Sequence, residues 1–332
     1  MQRVKPAIVA HRGASAYLPE STLPAKALAV AQGADYVEHD IVMTRDNELL
    51  VNHDLWLDEV SDVAERFPGR AREDGHFYVI DFDLEEILTL GVSSRFRVVD
   101  GDVLPVWPDR YPVWQGRFGF HTFEEELQFL AGIEHSTGRR VGIFTELKSP
   151  WFHEREGGDL AAAVYDVLGR YGYRTAADGC RVMSFDPQAL RHIREEIAPR
   201  TGITVPLTQL IGRTADQEVF ERLPNGEWIN YDVDWMRDPA RVSALAEWAD
   251  GIGPDIVMLL EQDVAGGLRV NDLASAAQSA GMYVTPWTLR ADALPPGADS
   301  YGEVFDLLAR DALVDAVITD FPDLAEACRT AS

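Results

Sequence analysis

Cysteine is nearly missing from the chain: only Cys180 and Cys328 occur among 332 residues. Two thiols that far apart make no disulfide framework and match no zinc or redox spacing, so both read as ordinary buried thiols. Long hydrophobic runs are missing too. No stretch of eighteen apolar residues occurs, which excludes a membrane-spanning helix. Positive charge is scarce: 30 Lys and Arg stand against 55 Asp and Glu, a net −25. Such a surface repels nucleic acid and anionic membranes, so neither a nucleic-acid partner nor stable membrane association is expected. A small anionic substrate stays compatible if local cations or a metal reverse the sign inside a pocket. No low-complexity tract or internal repeat appears. The opening "MQRVKPAIVAHRG" reaches its first apolar run within six residues and shows no signal peptide. That predicts a cytoplasmic protein, or a secreted or periplasmic one if a leader has been removed.

What is present is apolar mass, 46% of residues, in a regular alternation. Eight β-type runs read as strands: 7–10, 36–40, 141–147, 181–185, 203–210, 255–259, 282–287 and 316–320. Helical patterns follow most of them, at 23–32, 123–136, 159–171, 187–197, 239–248, 269–280 and 302–309. Strands buried on both faces that alternate with helices make a parallel sheet. Eight such units favour an α/β fold of the (β/α)₈ barrel type, as one domain over 1–332. The rhythm breaks at 54–121, a stretch rich in Asp, Arg, Gly, Pro and aromatics. It reads as an insertion over one barrel end, with a short helix capped by Asp83 and stopped by Gly91.

In such a barrel, function sits where strands end. The first strand ends in His11 and Arg12, the second in Glu38 and Asp40, the third in Glu146 and Lys148. Ser184, Gln209, Trp287, Thr319 and Asp320 end later strands. Gln209 is a candidate substrate contact. Trp287 is either core or an apolar wall for the substrate. Glu38 and Asp40 lie two apart, so they face the same way, ~7 Å apart. With Glu146 they suit one hard divalent cation, Ca²⁺ or Mg²⁺, and not zinc. The alternative is an acidic rim paired with Arg12 and Lys148. His39 lies between the two acids and must face the other way, toward the helices.

Arg45-Asp46-Asn47 is a turn signal between two β-type runs. The hairpin it predicts returns Asn52 and His53 opposite Asp40 and Glu38. His11 and His53 then flank a site with an arginine, a lysine and a metal. Cleaving a phosphodiester needs such a set. Cations offset charge on the phosphate oxygens, one imidazole takes a proton, and one imidazolium gives a proton to the leaving oxygen. No Ser, Thr or Cys is paired with a histidine by any motif. The other histidines, His76, His121, His135, His153 and His192, read as surface or core residues.

"HRGASAYLPEST", "VEHDIVMTRDNELLVNHD", "TELK", "MSFD", "PWTLR" and "DAVITDFPD" occur in this order between Val9 and Pro322. Together they resemble the glycerophosphodiester phosphodiesterase family, and "HDLWLDEVSDVAERFP" resembles its longer, periplasmic-type members. The resemblance implies a (β/α)₈ barrel with an insertion after the second strand. It implies hydrolysis of glycerophosphodiesters to sn-glycerol 3-phosphate and an alcohol, through a cyclic glycerol phosphate. Glu38, Asp40 and Glu146 match the metal ligands, His11 and His53 the acid/base pair, Arg12 and Lys148 the phosphate-side cations. One departure is Ser21, where the family's Pro-Glu-Asn-Thr has Asn. Serine can serve as a helix cap in its place. Glu20 either pairs with Arg12 or simply favours the helix dipole. Two other functions stay open: a phospholipase D-like lyase on lysophospholipids, and a non-catalytic binder of glycerol phosphates, which would have lost a histidine or a carboxylate.

Overall fold

The computed structural model describes residues 5–262 and 266–331. The chain's first four residues, part of the stretch read for a leader, lie outside them. Eight parallel strands follow the chain: β1 Ala7–Ala10, β2 Tyr36–Met43, β3 Gly142–Leu147, β4 Cys180–Ser184, β5 Leu207–Ile211, β6 Gly251–Pro254, β7 Tyr283–Val284 and β8 Ala316–Thr319. Their order in the sheet is β7-β6-β5-β4-β3-β2-β1-β8. Between β7 and β8 single backbone bonds close the ring: Asp315 N to Val284 O (2.9 Å), Ile318 N to Pro286 O (3.0 Å) and Leu289 N to Ile318 O (2.9 Å). The expected barrel is therefore present.

Each strand sorts its residues by period two. Val9, Phe144, Met183, Leu210, Ala316 and Ile318 pack together inside the barrel. Their neighbours Ile8, Val37, Ile143, Val182, Ile252 and Val317 pack outward in the larger core shared with the helices. The helices begin where the sequence offers caps. Thr122 Oγ1 accepts from Glu125 N, and Glu125 folds back onto Thr122 N (3.1 and 2.7 Å), which starts the helix Phe123–Thr137. Among the described residues, no helix is long and apolar enough to cross a membrane.

Several local expectations need correction. The helix expected at 269–280 is Leu273–Ser279, and Arg269 and Val270 belong to a strand, Leu268–Val270. The sixth strand is Gly251–Pro254, and Ile256–Met258, expected within it, is a 3₁₀ turn. The apolar run hid the strand because the strand is made of small residues. A Cβ on Gly251 would lie 2.2 Å from the Tyr283 ring, and one on Gly253 2.6 Å from Leu210. The helix expected at 239–248 is a 3₁₀ segment, Val242–Glu247. The first helix, Leu23–Ala31, is capped by Thr22 and not by Ser21. Ser21 instead holds a left-handed φ of 55° with its buried hydroxyl unpartnered. Asn adopts that backbone region more readily than Ser.

After β2 the chain turns at Asn47 (φ 63°) and returns as Leu49–Val51, antiparallel, with Ile41 opposite Val51. The insertion then builds a core of its own: Leu57, Val63, Phe77, Val79, Phe82, Ile87 and Leu90 pack on Val42 and Leu50. Its short helix, Leu84–Ile87, starts at Asp83, whose N–H is held by Glu86 (3.0 Å). The helix stops at Ile87, before Gly91.

Candidate active site

The inward phase of the strands decides which rim residues meet. β2 and β3 run in register, with Asp40 opposite Glu146. Glu38 and Asp40 therefore point inward beside Glu146, and one oxygen of each lies within 4.8 Å of the others. All three are buried. Arg12 reaches Asp40 (Nε to Oδ2, 3.3 Å) and Lys148 reaches Glu146 (Nζ to Oε1, 2.8 Å). Those pairs are the acidic-rim alternative, and they fall short. Glu38 Oε1 and Asp40 Oδ1 remain buried with no hydrogen-bond partner. Unpaired buried carboxylate oxygens are costly, and a bound cation removes the cost. Burial, then the charge on Asp40, pushes Glu38 well above the usual carboxylate range. Burial raises Glu146 to about 7 even against Lys148. Asp40 resists burial because His53, Arg12 and Lys148 together hold it at about 2. An all-oxygen set of this kind fits a hard divalent cation.

The two predicted histidines meet across this cluster, and both line the same cavity as Arg12, Glu38, Glu146 and Lys148. Each is oriented in the same way. His11 Nδ1 meets Asp320 Oδ1 at 2.6 Å, and His53 Nδ1 meets Asp54 Oδ1 at 2.6 Å. Each ring therefore keeps Nε2 for the cavity. His53 Nε2 lies 3.3 Å from Lys148 Nζ. Burial, then Arg12, lowers His11 to about 4. Burial, Arg12 and Lys148 lower His53 as well. Arg12 sits at a left-handed φ of 56°, which turns its N–H onto Glu38 Oε2 (2.7 Å) and its guanidinium onto Glu20 Oε1 (2.8 Å). The pairing of Glu20 with Arg12 is thus real.

A negatively charged cluster with cations at its edge and two oriented imidazoles is equipped to bind and cleave a phosphate ester. Residues 11–324 match the glycerophosphoryl diester phosphodiesterase family. Glycerophosphodiester phosphodiesterases of Treponema pallidum and Haemophilus influenzae are each 43% identical to the chain. The first match covers 96% of this chain and 90% of that protein, the second 95% and 87%. The chain belongs to the glycerophosphodiester phosphodiesterase family. Its activity is hydrolysis of glycerophosphodiesters. A solved phosphodiesterase of Oleispira antarctica, in complex with the product sn-glycerol-3-phosphate, shares the fold. The two superpose with a TM-score of 0.58 at 18% identity, over 99% of this chain and 98% of that one.

Within this glycerophosphodiesterase, strand phase also corrects the sequence reading. Gln209, expected as a substrate contact, does not line the cavity. It alternates with the inward Leu210, is fully buried, and gives Nε2 to Phe185 O (2.8 Å) while Oε1 accepts from Trp248 Nε1 (2.9 Å). Ser184 and Thr319 likewise turn outward, onto Leu147 O and Tyr301. Trp287 does line the cavity, edge-on to Phe185, with Nε1 held by Gly253 O at 2.7 Å. In the sequence Asp320 stands at a strand end with no residue beside it that names His11 as its partner. The signal for Asp54 is its place directly after His53. Nothing in sequence spacing announces Arg95 and Arg110, which bind those two aspartates.

Proposed function

We propose that the protein hydrolyses glycerophosphodiesters to sn-glycerol 3-phosphate and an alcohol by histidine acid/base catalysis, with one divalent cation held by Glu38, Asp40 and Glu146. The observation that carries this is the pair of imidazoles, each fixed at Nδ1 by an aspartate, lining one cavity together with an under-satisfied carboxylate cluster. A cation bound there supplies positive charge to the phosphate oxygens. Arg12 and Lys148 hold the same phosphate from the protein side. His11 Nε2 takes the proton from the attacking hydroxyl. His53, at the mouth of the insertion, protonates the departing alcohol. The negative phosphate favours its imidazolium form despite the burial.

The attacking hydroxyl in this reading is the substrate's own 2-hydroxyl, which forms a cyclic glycerol phosphate that water then opens. Among the described residues, the one hydroxyl on a histidine ring nitrogen is Thr145 on His39 (2.8 Å), sealed outside the barrel. None of the described serines or threonines is held on a site histidine as a nucleophile. The Trp287 and Phe185 rings make an apolar wall for the carbon skeleton of the substrate. The test is a panel of choline, ethanolamine, inositol and glycerol diesters, coupled to glycerol 3-phosphate detection, with and without chelator. Turnover that disappears with chelator and returns with Ca²⁺ or Mg²⁺ is expected. Accumulation of cyclic phosphate as the final product would make the enzyme a lyase. Full activity after exhaustive chelation would remove the metal.

A further inference from the structure

The insertion does more than cover the barrel. We propose that Arg95 and Arg110, both contributed by it, are positioning residues, one for each site histidine: each grips the oxygen of the aspartate that the histidine leaves free. The inference rests on His11 and His53 being the reacting groups.

The two arrangements have the same geometry. Asp54 meets His53 Nδ1 with Oδ1 at 2.6 Å and accepts from Arg95 Nη1 with Oδ2 at 2.6 Å. Asp320 meets His11 Nδ1 with Oδ1 at 2.6 Å and accepts from Arg110 Nη2 with Oδ2 at 2.8 Å. A carboxylate held at one oxygen pivots about its Cβ–Cγ bond. Held at both, its plane is fixed, and so is the imidazole it carries. All four groups are largely shielded: side-chain exposure is 13% for Arg95, 11% for Asp54, 8% for Arg110 and 2% for Asp320. Little water is available to replace a lost guanidinium.

Arg95 reaches further still. Its Nη2 meets Glu20 Oε1 at 2.8 Å, the oxygen that also receives Arg12 Nη1 at 2.8 Å. One insertion residue thus orients both His53 and Arg12. Arg110 is itself aimed by Asp292, at 2.7 and 2.9 Å, and stacks over Trp107. The two sides differ in one respect. Asp320 Oδ2 has a second arginine, Arg290, at 2.7 Å, whereas Asp54 has, among the described residues, Arg95 alone. Losing Arg95 should therefore cost more than losing Arg110.

The bland account is that these arginines merely tie the insertion down. Arg72 provides the control. It binds Asp81 within the insertion and Glu156 on the barrel (2.7 and 3.1 Å), and it touches neither histidine nor its aspartate. The experiment uses full-length Arg95→Met, Arg110→Met and Arg72→Met, with histidine rings labelled in ¹⁵N and melts recorded for each. In metal-free protein, the Nδ1–H signal of His53 should move in Arg95→Met and that of His11 in Arg110→Met, with neither moving in Arg72→Met. With metal, Arg95→Met should lower kcat about tenfold to a hundredfold, the usual cost of losing a supporting partner behind a site. KM should change less, and Arg110→Met should lose less kcat than Arg95→Met. If Arg95→Met does not fold, Arg95→Lys keeps the charge without the fork and should move the same His53 signal by less. Unmoved His53 and His11 signals, or equal kcat losses in all three variants, overturn the proposal. Should His11→Ala and His53→Ala stay active, the acid/base reading fails on its own, because the ring signals report the positioning independently.

Discussion

Strand β2 carries two buried charged clusters, one on each face, and they are built by opposite rules. On the inner face Glu38 and Asp40 join Glu146, and two of their oxygens have no partner. On the outer face His39 meets Glu126 Oε1 at 2.9 Å and Thr145 Oγ1 at 2.8 Å. Lys26 lies 3.2 Å from the same Glu126 oxygen, and His121 meets the other at 2.8 Å. Lys26 also donates to the Glu38 carbonyl, so the outer cluster braces the strand that carries the inner one. Burial works against the Glu126 charge, yet Lys26 and His39 hold the carboxyl well below its usual range. The outer cluster pairs both oxygens of its carboxylate, and the inner one leaves carboxylate oxygens unpaired. Burial and charge alone thus do not mark a site; several carboxylates converging with oxygens unpaired do.

The sharpest way to break that comparison is to treat histidines on the two faces alike. His11→Ala and His53→Ala should each lose roughly 10²–10⁴-fold in kcat on glycerophosphocholine, the range of general acid–base catalysis. A nitrophenyl ester, whose alcohol leaves without help, should restore much of the loss in the variant lacking the acid, expected to be His53→Ala. His39→Asn in folded protein should keep most of its turnover. A loss in His39→Asn as large as in His11→Ala would erase the distinction between the faces. Restoration in His11→Ala alone would exchange the two roles.

The carboxylates give the next effect. Glu38→Gln removes one ligand charge from the inner cluster. It should weaken Ca²⁺ or Mg²⁺ binding by calorimetry and lower kcat roughly 10²–10³-fold, the cost of losing one charge-stabilising group. Unchanged cation affinity would return Glu38 to the acidic-rim account. The outer face should answer in stability instead. Lys26→Met leaves Glu126 short of its full charge partner, and breaking a buried pair costs about 3–5 kcal/mol. Denaturant melts should show that loss while kcat of the folded fraction stays near the parent value. A lost kcat with an unchanged midpoint would contradict a structural role.

Much of this is legible from period two alone, and the failures have three causes. The rule placed Glu38 and Asp40 inward and His39 outward on β2, and the structure agrees. The hairpin turn put Asn52 opposite Asp40, and Asn52 N does meet Asp40 O at 3.1 Å. Applied equally to β4, β5 and β8, the same rule would have set aside Ser184, Gln209 and Thr319, which alternate with Met183, Leu210 and Ile318. Asp320 falls on the inward phase of β8 and Trp287 on that of β7. β6 is illegible for a different reason: its inward positions are glycines, required by the bulk of their register partners Tyr283 and Leu210 on the neighbouring strands. Arg95 and Arg110 come from irregular chain, where no periodicity converts sequence position into direction.

The smallest effect concerns pH and tests the inner face without any substitution. In the metal-free protein Glu146 is raised to about 7 and Glu38 well above its ordinary value. A carboxyl raised in the folded state binds its proton more tightly there than in the unfolded chain. Its penalty is therefore absent below the unfolded value near 4.5 and complete once pH passes the folded value. Other carboxyls, including Glu20, Asp54 and Asp320, are shifted downward and tilt the total stability the opposite way. The total curve therefore does not isolate the site, but the difference made by a divalent cation does. Cation at a hundred times its Kd adds about 2.7 kcal/mol to the folded state. Protons compete with it at the same oxygens, so the gain in Tm from a fixed Ca²⁺ or Mg²⁺ concentration should be greater at pH 8 than at pH 5.5. The outer cluster has no unpaired carboxylate oxygen and should contribute nothing to that difference, so Lys26→Met should lower both melting curves without changing the gap between them. A gap independent of pH would mean that the cation binds elsewhere on the acidic surface.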